Sequence, residues 1–471
     1  MIKKLFLILI LSVAFINANA QTSIEGNWEG NINVVGKQIG IKVNFVNESG
    51  NYSGIIDIPS QGAKGMRLSN IIIGKSMPES VTFELAIPGA PATFDGHYYM
   101  DDSLSGKFVQ AGFEGTFLLT RATVKPEEKK EVKPYKEEEV NFVNGNNSFA
   151  GTLSIPDTPG KHPAVVLITG SGAQDRNEEI LGFKIFEVIA DYLTKNGIAV
   201  LRYDDRNTAK SVGTPITEST SEDFAYDVIE AIKYLKSRND INPNMIGLLG
   251  HSEGGMIAPM VAVKMNNELA FIVLMAGPSV KGEEIVKEQT KLINEANGKS
   301  NDKDSIQMQV FIDAVNGRIP IDSLINEVKS DLEKEFDEMT EEQKATIKDK
   351  ESYIDSKLKA IIASFDNVWM RYFLNYDPRP TLEKVKVPVL ALFGGKDLQV
   401  PRKQNEQPMR DALTKAGNTH FTIRTFEDAN HLFQSANTGS PNEYGTLKKE
   451  FTPGFLEYIT KWILDYVTPT R

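Results

Sequence analysis

Continuous apolar runs alternate with helically spaced apolar residues from residue 141 onward, and this alternation limits the folds open to the chain. Residues 164–168 form an uninterrupted apolar run, which is typical of a parallel strand covered on both faces. Residues 183–193 then carry a stripe at helical spacing, and the pattern recurs up to a last stripe at 455–466. We therefore predict an α/β domain over residues 141–471, with a doubly wound, mostly parallel sheet.

The alternation stops between about residues 281 and 380. This stretch is charged, and Leu324, Val328 and Leu332 fall on one helical face. We predict an inserted helical cap over residues 281–380, placed between two late strands of the sheet. A solvated helical excursion remote from any site is the alternative.

A different pattern occupies residues 21–122. Every second residue is apolar in 39–45 and again in 81–87, which indicates half-buried strands. Turn signals at 48–51 and 100–103 separate such runs. The segment is predicted to be a small all-β domain, either an antiparallel barrel or a sandwich.

The N-terminal segment has the features of an export signal. Two lysines precede a short apolar run, and Ala18-Asn19-Ala20 is a small-residue cleavage site. We expect a signal peptide over residues 1–20 and a periplasmic or secreted mature chain. A retained membrane anchor is the alternative, but the apolar run is short for a span, so we expect no stable anchor after cleavage. Residues 123–140 are charged and are predicted to form an extended linker.

The charge and the cysteine content of the chain exclude some classes of partner and of catalysis. The formal net charge of −11 argues against nucleic acid or an anionic membrane surface as a partner. The 471 residues include no cysteine, which excludes disulfides and thiol catalysis. Oligomeric state has no signature in the sequence.

The pentapeptide Gly250-His251-Ser252-Glu253-Gly254 lies between a strand pattern and a helix pattern. A serine on a sharp strand-to-helix turn is a nucleophile elbow, in which the hydroxyl stands clear of the sheet. Glycines on both sides let the backbone turn where a side chain would clash. Ser252 is therefore the predicted nucleophile.

A serine hydroxyl needs an adjacent base. His431 lies in a loop just after the last predicted strand, where an elbow fold places its base, so we assign it that role. His251 adjoins the serine, but its backbone direction carries it away from the hydroxyl. The remaining histidines are interpreted as surface or strand-end residues: His97, His162 and His420.

The acid should follow a late strand and precede the base in sequence. Asp397 directly follows the apolar run 389–393, and we predict that it orients His431. Asp428 and Asp377 are rivals. Asp428 is too close to His431 in sequence, and Asp377 precedes a proline at the cap exit.

Backbone amides must stabilise the oxyanion that forms during acyl transfer. We assign the Glu253 amide, at the start of the elbow helix, and the Ser171 amide, in a glycine-rich loop with Gly172 close behind. Four charged residues near these loops are interpreted as structural, with a charged substrate site as the alternative: Asp175, Arg176, Asp205 and Arg206.

Three stretches carry a resemblance to a known family. They are 169–178 (TGSGAQDRNE), 252–255 (SEGG) and 395–401 (GKDLQVP), together with Asp377-Pro378. In these the chain resembles secreted bacterial α/β-hydrolases of the EstD-like serine esterase type, which implies hydrolysis of short-chain acyl esters. The chain departs from the family at 207–209, where Asn-Thr-Ala stands in place of the usual glycine.

The β-domain carries a second resemblance. Trp28 on its first strand and Arg121 after its last strand are similar to the lipocalin pattern, in which an arginine covers a tryptophan.

Together these features predict a serine hydrolase that cleaves a small-molecule carboxylic ester without a metal or cofactor. Two alternatives stay open. One is a serine peptidase of the prolyl-oligopeptidase type, and the other is a non-catalytic protein that binds an apolar ligand in its β-domain. A β-domain that selects substrate for the hydrolase is a mixed possibility.

Overall fold

The computed structural model describes most of the chain, in the ranges 23–34, 37–59, 63–74, 78–87, 91–99, 102–110, 113–122, 133–298, 302–341, 344, 347 and 349–467. The predicted signal peptide and residues 123–132 of the predicted linker lie outside these ranges. Within them, no helix is long and apolar enough to cross a membrane.

The N-terminal domain is a closed barrel of eight antiparallel strands in sequential order, which confirms the all-β prediction and selects the barrel over the sandwich. Its strands are β1 Gly26–Val34, β2 Lys37–Glu48, β3 Asn51–Ile58, β4 Ala63–Ile73, β5 Glu79–Leu85, β6 Ala92–Tyr99, β7 Ser103–Gln110 and β8 Phe113–Arg121. Closure between β1 and β8 leaves no free sheet edge.

Aromatic side chains fill the interior of the barrel. The rings of Phe83 and Phe94 stack with centroids 4.5 Å apart, and Phe117 meets both edge to face. An eight-stranded barrel is just wide enough for side chains to fill it. The interior is therefore a hydrophobic core.

The predicted tryptophan–arginine pair closes one end of the barrel. The Arg121 guanidinium lies 4.5 Å from the centroid of the Trp28 ring, within range for a cation–π contact. Arg121 also donates hydrogen bonds to the backbone oxygens of Ser23 and Glu25, at 2.7 Å each. The lipocalin-like pattern thus describes the packing at this end of the barrel.

The C-terminal domain is built on an eight-stranded sheet in the order β18-β17-β16-β15-β11-β14-β10-β9. Six neighbouring strands are parallel, and β9 and β10 add an antiparallel edge. The strands are β9 Tyr135–Asn144, β10 Asn147–Pro156, β11 His162–Ile168, β14 Ala199–Tyr203, β15 Ile241–His251, β16 Ile272–Met275, β17 Val389–Gly394 and β18 Phe421–Phe426; a small hairpin pairs β12 Glu179–Ile180 with β13 Phe183–Lys184. The predicted α/β-hydrolase fold class is confirmed.

The predicted linker 123–140 is wrong over its last six residues, which begin β9. The charged residues favoured a linker in the sequence, but the carboxylates of this edge strand pair with one arginine on β14 and one in the loop after β11. Glu137 Oε1 lies 3.1 Å from Arg202 Nη2, and Glu139 Oε1 lies 2.9 Å from Arg176 Nη1. An edge strand can carry such a charged face while its alternate residues are buried.

Helices cover both faces of the sheet and form the insertion. They are α1 Ile185–Lys195, α2 Ser221–Lys236, α3 Glu253–Lys264, α4 Gly282–Ala296, α5 Asp302–Val315, α6 Ile321–Asp337, α7 Lys350–Phe365, α8 Val368–Asn375, α9 Arg379–Leu382, α10 Arg402–Lys415 and α11 Phe455–Val467. One core lies under α2, α3 and α10, and a second core lies under α1 and α11. The layers therefore hold the carboxyl ends of β11, β15 and β17 at one edge.

The helices α4 to α9 lie between β16 and β17 and form the helical insertion. The barrel contacts two parts of the second domain. Phe113 on β8 meets the Tyr353 ring of α7 edge to face, with centroids 4.5 Å apart. Arg67 Nη2 on β4 donates a hydrogen bond to the Ser211 carbonyl oxygen at 2.8 Å. The barrel thus contacts both the insertion and the sheet domain.

Candidate active site

Ser252 lies on a strained turn between β15 and α3, with φ 52° and ψ −116°. Such a backbone conformation costs a non-glycine residue about 1–3 kcal/mol and is concentrated at functional sites. A Cβ on Gly250 would lie 2.0 Å from the Gly254 carbonyl oxygen, and one on Gly254 would lie 2.1 Å from the Ile168 carbonyl oxygen. Both flanking glycines are therefore required by the close approach of the backbone.

His431 and Asp397 form a buried hydrogen-bonded pair. His431 Nδ1 lies 2.9 Å from Asp397 Oδ2, and the two residues are 4 % and 3 % exposed. Asp397 Oδ1 accepts hydrogen bonds from the Gln399 and Val400 amides at 2.8 and 2.9 Å. Burial alone would raise the pKa of Asp397, but the charge and hydrogen bond of His431 and these two amides hold it below its usual value. Asp397 is thus held as a carboxylate facing one ring nitrogen of His431.

Ser252, His431, Ser171 and Glu253 all line one cavity of about 640 Å³. Apolar residues dominate the rest of its wall, and many come from the inserted helices. The principal ones are Ile180, Leu181, Ile285, Val286, Trp369 and Phe373. The described residues that line the cavity include no lysine or arginine. The insertion therefore covers the serine, as expected of a cap.

The two residues assigned to the oxyanion hole flank the serine. Glu253 follows it as the first residue of α3, and Ser171 follows β11, the parallel neighbour of β15. The backbone amides at the start of a helix stabilise negative charge, because the positive end of the helix dipole lies there. Ser171 and Glu253 both line the cavity that Ser252 lines.

The rival acids lie elsewhere. Asp428 is 76 % exposed at its side chain and pairs with Lys396 at 3.2 Å. Asp377 pairs with Arg379 at 2.8 Å at the exit of the insertion. Of the remaining histidines, His97 lies on β6, His162 begins β11, and His420 precedes β18. His162 is 7 % exposed, so its interpretation as a surface residue is wrong.

The charged residues near the loops are largely paired within the protein. Arg176 Nη2 lies 2.8 Å from Asp204 Oδ2, and the Arg206 guanidinium is paired with Asp227 at 2.5 Å. Asp205 accepts hydrogen bonds from the Thr169 hydroxyl at 2.8 Å and from the Gln174 amide at 2.9 Å. These contacts support the structural interpretation, in which the charges brace the strand ends. In the loop that departs from the family pattern, Asn207 and Ala209 themselves adopt positive φ, at 52° and 46°.

Two carboxylates lie beside the serine, and neither could be given a partner from the sequence. The Glu253 side chain accepts hydrogen bonds from Ser221 Oγ at 2.6 Å and from Trp369 Nε1 at 2.9 Å, which joins the elbow helix to the insertion. Burial raises the pKa of Glu253, against hydrogen bonds from Ser221, Trp369 and Ser171. Glu178 Oε1 lies 2.8 Å from His251 Nδ1. Their partners are remote in sequence, so no local pattern could have found these contacts.

Among the described residues, no group of three or more His, Asp or Glu side chains is placed to hold a metal ion.

Comparison with known proteins places this site in a family. A family model described as serine aminopeptidase, S33 matches residues 182–435, which is more than half of the chain. Esterase EstD of Thermotoga maritima is 29 % identical over 322 residues, covering 68 % of this chain and 66 % of the relative. Thiohydrolase aneE of Aspergillus aculeatus is 34 % identical over 128 residues, covering 27 % of this chain and 37 % of the relative. The matched region is thus less than two thirds of either relative.

A solved esterase structure from Pyrococcus furiosus has a TM-score of 0.41 and 15 % identity, covering 70 % of this chain and 92 % of that chain. The family model spans the elbow and both residues of the buried histidine–aspartate pair. The resemblance expected from the motifs is therefore confirmed, and the chain belongs to the serine aminopeptidase S33 family of α/β-hydrolases.

Proposed function

We propose that the protein is a serine esterase that hydrolyses short-chain acyl esters through an acyl-enzyme on Ser252. The observation that carries the proposal is a strained serine elbow that shares one covered cavity with His431, whose ring is paired with the buried Asp397 carboxylate. These are the groups that a serine hydrolase needs: a nucleophile, a base and a residue that orients the base.

In the proposed reaction, Ser252 Oγ bonds to the ester carbonyl carbon while His431 Nε2 takes the hydroxyl proton. Asp397 keeps the other ring nitrogen of His431 protonated and stabilises the imidazolium. The Ser171 and Glu253 amides stabilise the oxyanion. The carbon–oxygen bond to the alcohol then breaks, and His431 returns the proton to the leaving oxygen. Water, deprotonated by His431, then adds to the acyl carbon. The bond from that carbon to Ser252 Oγ breaks, and His431 returns the proton to Oγ, which releases the acid and regenerates Ser252.

The lining of the cavity favours an uncharged substrate. Both carboxylates in the wall are buried and face partners within the protein: Glu253, 2 % exposed, accepts from Ser221 and Trp369, and Glu178, 0 % exposed, lies against His251. A peptidase that binds a free substrate amine needs a carboxylate available to it. The apolar wall contributed by the insertion suits an acyl chain better than a charged peptide end.

The peptidase alternative is separated by a substrate panel. We expect p-nitrophenyl esters of acetate and butyrate to be turned over with kcat/KM at least about 100-fold above that for aminoacyl and peptidyl anilides. A fluorophosphonate probe should label the wild type and leave Ser252→Ala unlabelled. Equal labelling of the two proteins would reject an acyl-enzyme on Ser252. Faster turnover of the anilides than of the esters would show that the protein is a peptidase.

The packing of the barrel argues against the alternative of a non-catalytic protein that binds an apolar ligand there. Its interior is filled by buried aromatic rings, including Phe45, Phe83 and Phe94. An apolar ligand would have to displace these side chains. This supports assigning the ligand-binding role to the cavity at Ser252.

We also propose that the chain is exported and acts in the periplasm or outside the cell. The support is the N-terminal sequence of two lysines, an apolar run and a cleavage site after Ala20. N-terminal sequencing of protein from cell fractions should give a mature chain that begins at Gln21. Recovery of an uncleaved chain from the cytoplasm would reject export.

A further inference from the structure

A second buried histidine–carboxylate pair lies beside the serine, and the proposed reaction uses neither member. Glu178 and His251 are 0 % and 2 % exposed, and Glu178 Oε1 lies 2.8 Å from His251 Nδ1. The other ring nitrogen, His251 Nε2, lies 3.0 Å from the backbone carbonyl oxygen of His431. His251 therefore bridges Glu178 to the loop that carries the proposed base.

The same carboxylate oxygen also holds the loop after β11. Glu178 Oε1 accepts a hydrogen bond from the Gly170 amide at 2.7 Å, one residue before the proposed oxyanion donor Ser171. A Cβ on Gly170 would lie 3.1 Å from this oxygen and 3.3 Å from Ser252 Cβ. A larger residue at this position would therefore need Glu178 or the elbow to shift by a few tenths of an ångström. One oxygen atom of Glu178 therefore connects the loop after β11, through the His251 ring, to the loop that carries His431.

The Glu178–His251 arrangement destabilises the folded protein in two ways, which indicates a role beyond packing. Glu178 adopts a left-handed backbone conformation with φ 46°, which is unfavourable for a residue with a side chain. Its second carboxylate oxygen, Oε2, is buried without a hydrogen-bond partner among the described residues. Burying a charged group with unmet hydrogen bonds destabilises a protein, and such costs are concentrated at functional sites.

The hydrogen-bond geometry determines the protonation of His251. Both ring nitrogens face acceptor oxygens, one on Glu178 and one on the His431 carbonyl. An imidazole makes both bonds as a donor only when both nitrogens carry protons. Burial lowers the pKa of His251, but the charge and hydrogen bond of Glu178, the His431 carbonyl and the charge of Asp397 outweigh it and raise the pKa above its usual value.

We propose that Glu178 and His251 are positioning residues that act as one unit and hold the oxyanion loop and the base loop in register around Ser252. The inference rests on the proposed function, because it assigns these loops their catalytic roles. It predicts that the pair acts on the transition state, in which the oxyanion and the base must be correctly placed together.

Glu178→Gln tests the proposal with little change in volume. The amide can still accept from Gly170, but without the carboxylate charge His251 keeps one ring proton and loses one of its two bonds. We expect kcat for p-nitrophenyl acetate to fall about 10- to 100-fold, since small displacements of reacting groups carry penalties of this order. KM should stay within about threefold of the wild type, because the cap that binds the acyl chain is unchanged.

A second readout separates positioning from simple loss of stability. A trifluoromethyl ketone inhibitor forms an oxyanion on Ser252, so its affinity should weaken by the same factor as kcat/KM. His251→Asn keeps a donor toward Glu178 but loses the bond to the His431 carbonyl, and it should cause a similar loss. The double variant should lose no more activity than the more impaired of the two single variants, because the two residues act as a unit.

Asp227→Asn is the matched control, because it removes a carboxylate from another buried ion pair, with Arg206, outside the cavity. It should lower the melting temperature at least as much as Glu178→Gln while leaving kcat within about threefold of the wild type. A kcat for Glu178→Gln within threefold of the wild type would overturn the inference. So would a loss of kcat with unchanged inhibitor affinity, or an equal loss in Asp227→Asn.

Failure of the proposed function has a different outcome. A wild-type protein that neither reacts with the fluorophosphonate probe nor hydrolyses esters would reject the esterase itself. Normal labelling and turnover in both the wild type and Glu178→Gln would reject only the positioning role.

Discussion

Asp397→Asn is the sharpest test of the proposed catalytic groups, because the structure determines how the new side chain must sit. Asp397 Oδ1 accepts from the Gln399 and Val400 amides, and Oδ2 faces His431 Nδ1. The asparagine oxygen must take the Oδ1 place, since the reverse orientation would aim its amide group at two backbone donors. That reversal would leave two buried donors unpaired, at about 1–3 kcal/mol each.

The asparagine amide group consequently points at His431 Nδ1 as a donor. His431 must then accept at Nδ1 and carry its proton on Nε2, the nitrogen that should receive the Ser252 proton. His431 is then in the tautomer that cannot accept the Ser252 proton, although its ring has not moved. For this change in a serine triad we expect kcat to fall about 10⁴-fold, or about 5 kcal/mol in activation free energy.

Steady-state hydrolysis of p-nitrophenyl acetate measures this loss, with circular dichroism to show that the variant is folded. Asp428→Asn is the control, because Asp428 is the rival acid in sequence and is 76 % exposed beside Lys396. It should keep kcat within about twofold of the wild type. A loss below tenfold in Asp397→Asn, or an equal loss in Asp428→Asn, would refute the assignment of Asp397.

Three further perturbations test the framework around the site. Burial raises the pKa of Glu253 in the folded protein above its ordinary 4.5, so the wild type loses stability as pH rises from 4.5 through the raised pKa. Measured by urea denaturation, the stability of Glu253→Gln relative to the wild type should therefore increase as pH rises above 4.5. Arg121→Ala should lower the free energy of unfolding of the barrel by about 1–2 kcal/mol, because it removes the cation–π contact with Trp28. Phe113→Ala should cost about 1 kcal/mol and speed hydrogen exchange in α7, because it removes the edge-to-face contact with Tyr353.

Each of these has its own control or contrary result. A stability difference for Glu253→Gln that stays constant with pH would show that Glu253 is not held at a raised pKa. Lys107→Ala removes an ion pair whose lysine is 49 % exposed and should change barrel stability by less than about 0.5 kcal/mol, against the larger effect at Arg121. Unchanged exchange in α7 after Phe113→Ala would show that the barrel does not steady the insertion.

Much of this architecture could be predicted because its signals are local. Continuous apolar runs indicated the parallel strands, and alternation indicated the barrel strands. The glycines around Ser252 pointed to a turn that only small residues permit. The position of His431 after β18 followed from the order of groups in such folds. The linker failed for the same local reason, since charged residues at 135–140 do not reveal the arginines that pair with them.

The strands, the helices and the elbow could be predicted from the sequence because each depends on residues that are near one another in the chain. The positions of Asp397 and His431 followed from the order that such folds require. The contacts between side chains across the cavity depend on how the layers pack, and they became visible in the structure alone. Glu178 and His251 are 73 residues apart, and Trp369 reaches Glu253 across 116 residues. Hydrogen bonds and burial depend on distances in space. The partners of the Glu178 and Glu253 carboxylates, and the apolar residues that the insertion adds to the cavity, therefore could not be predicted from local patterns.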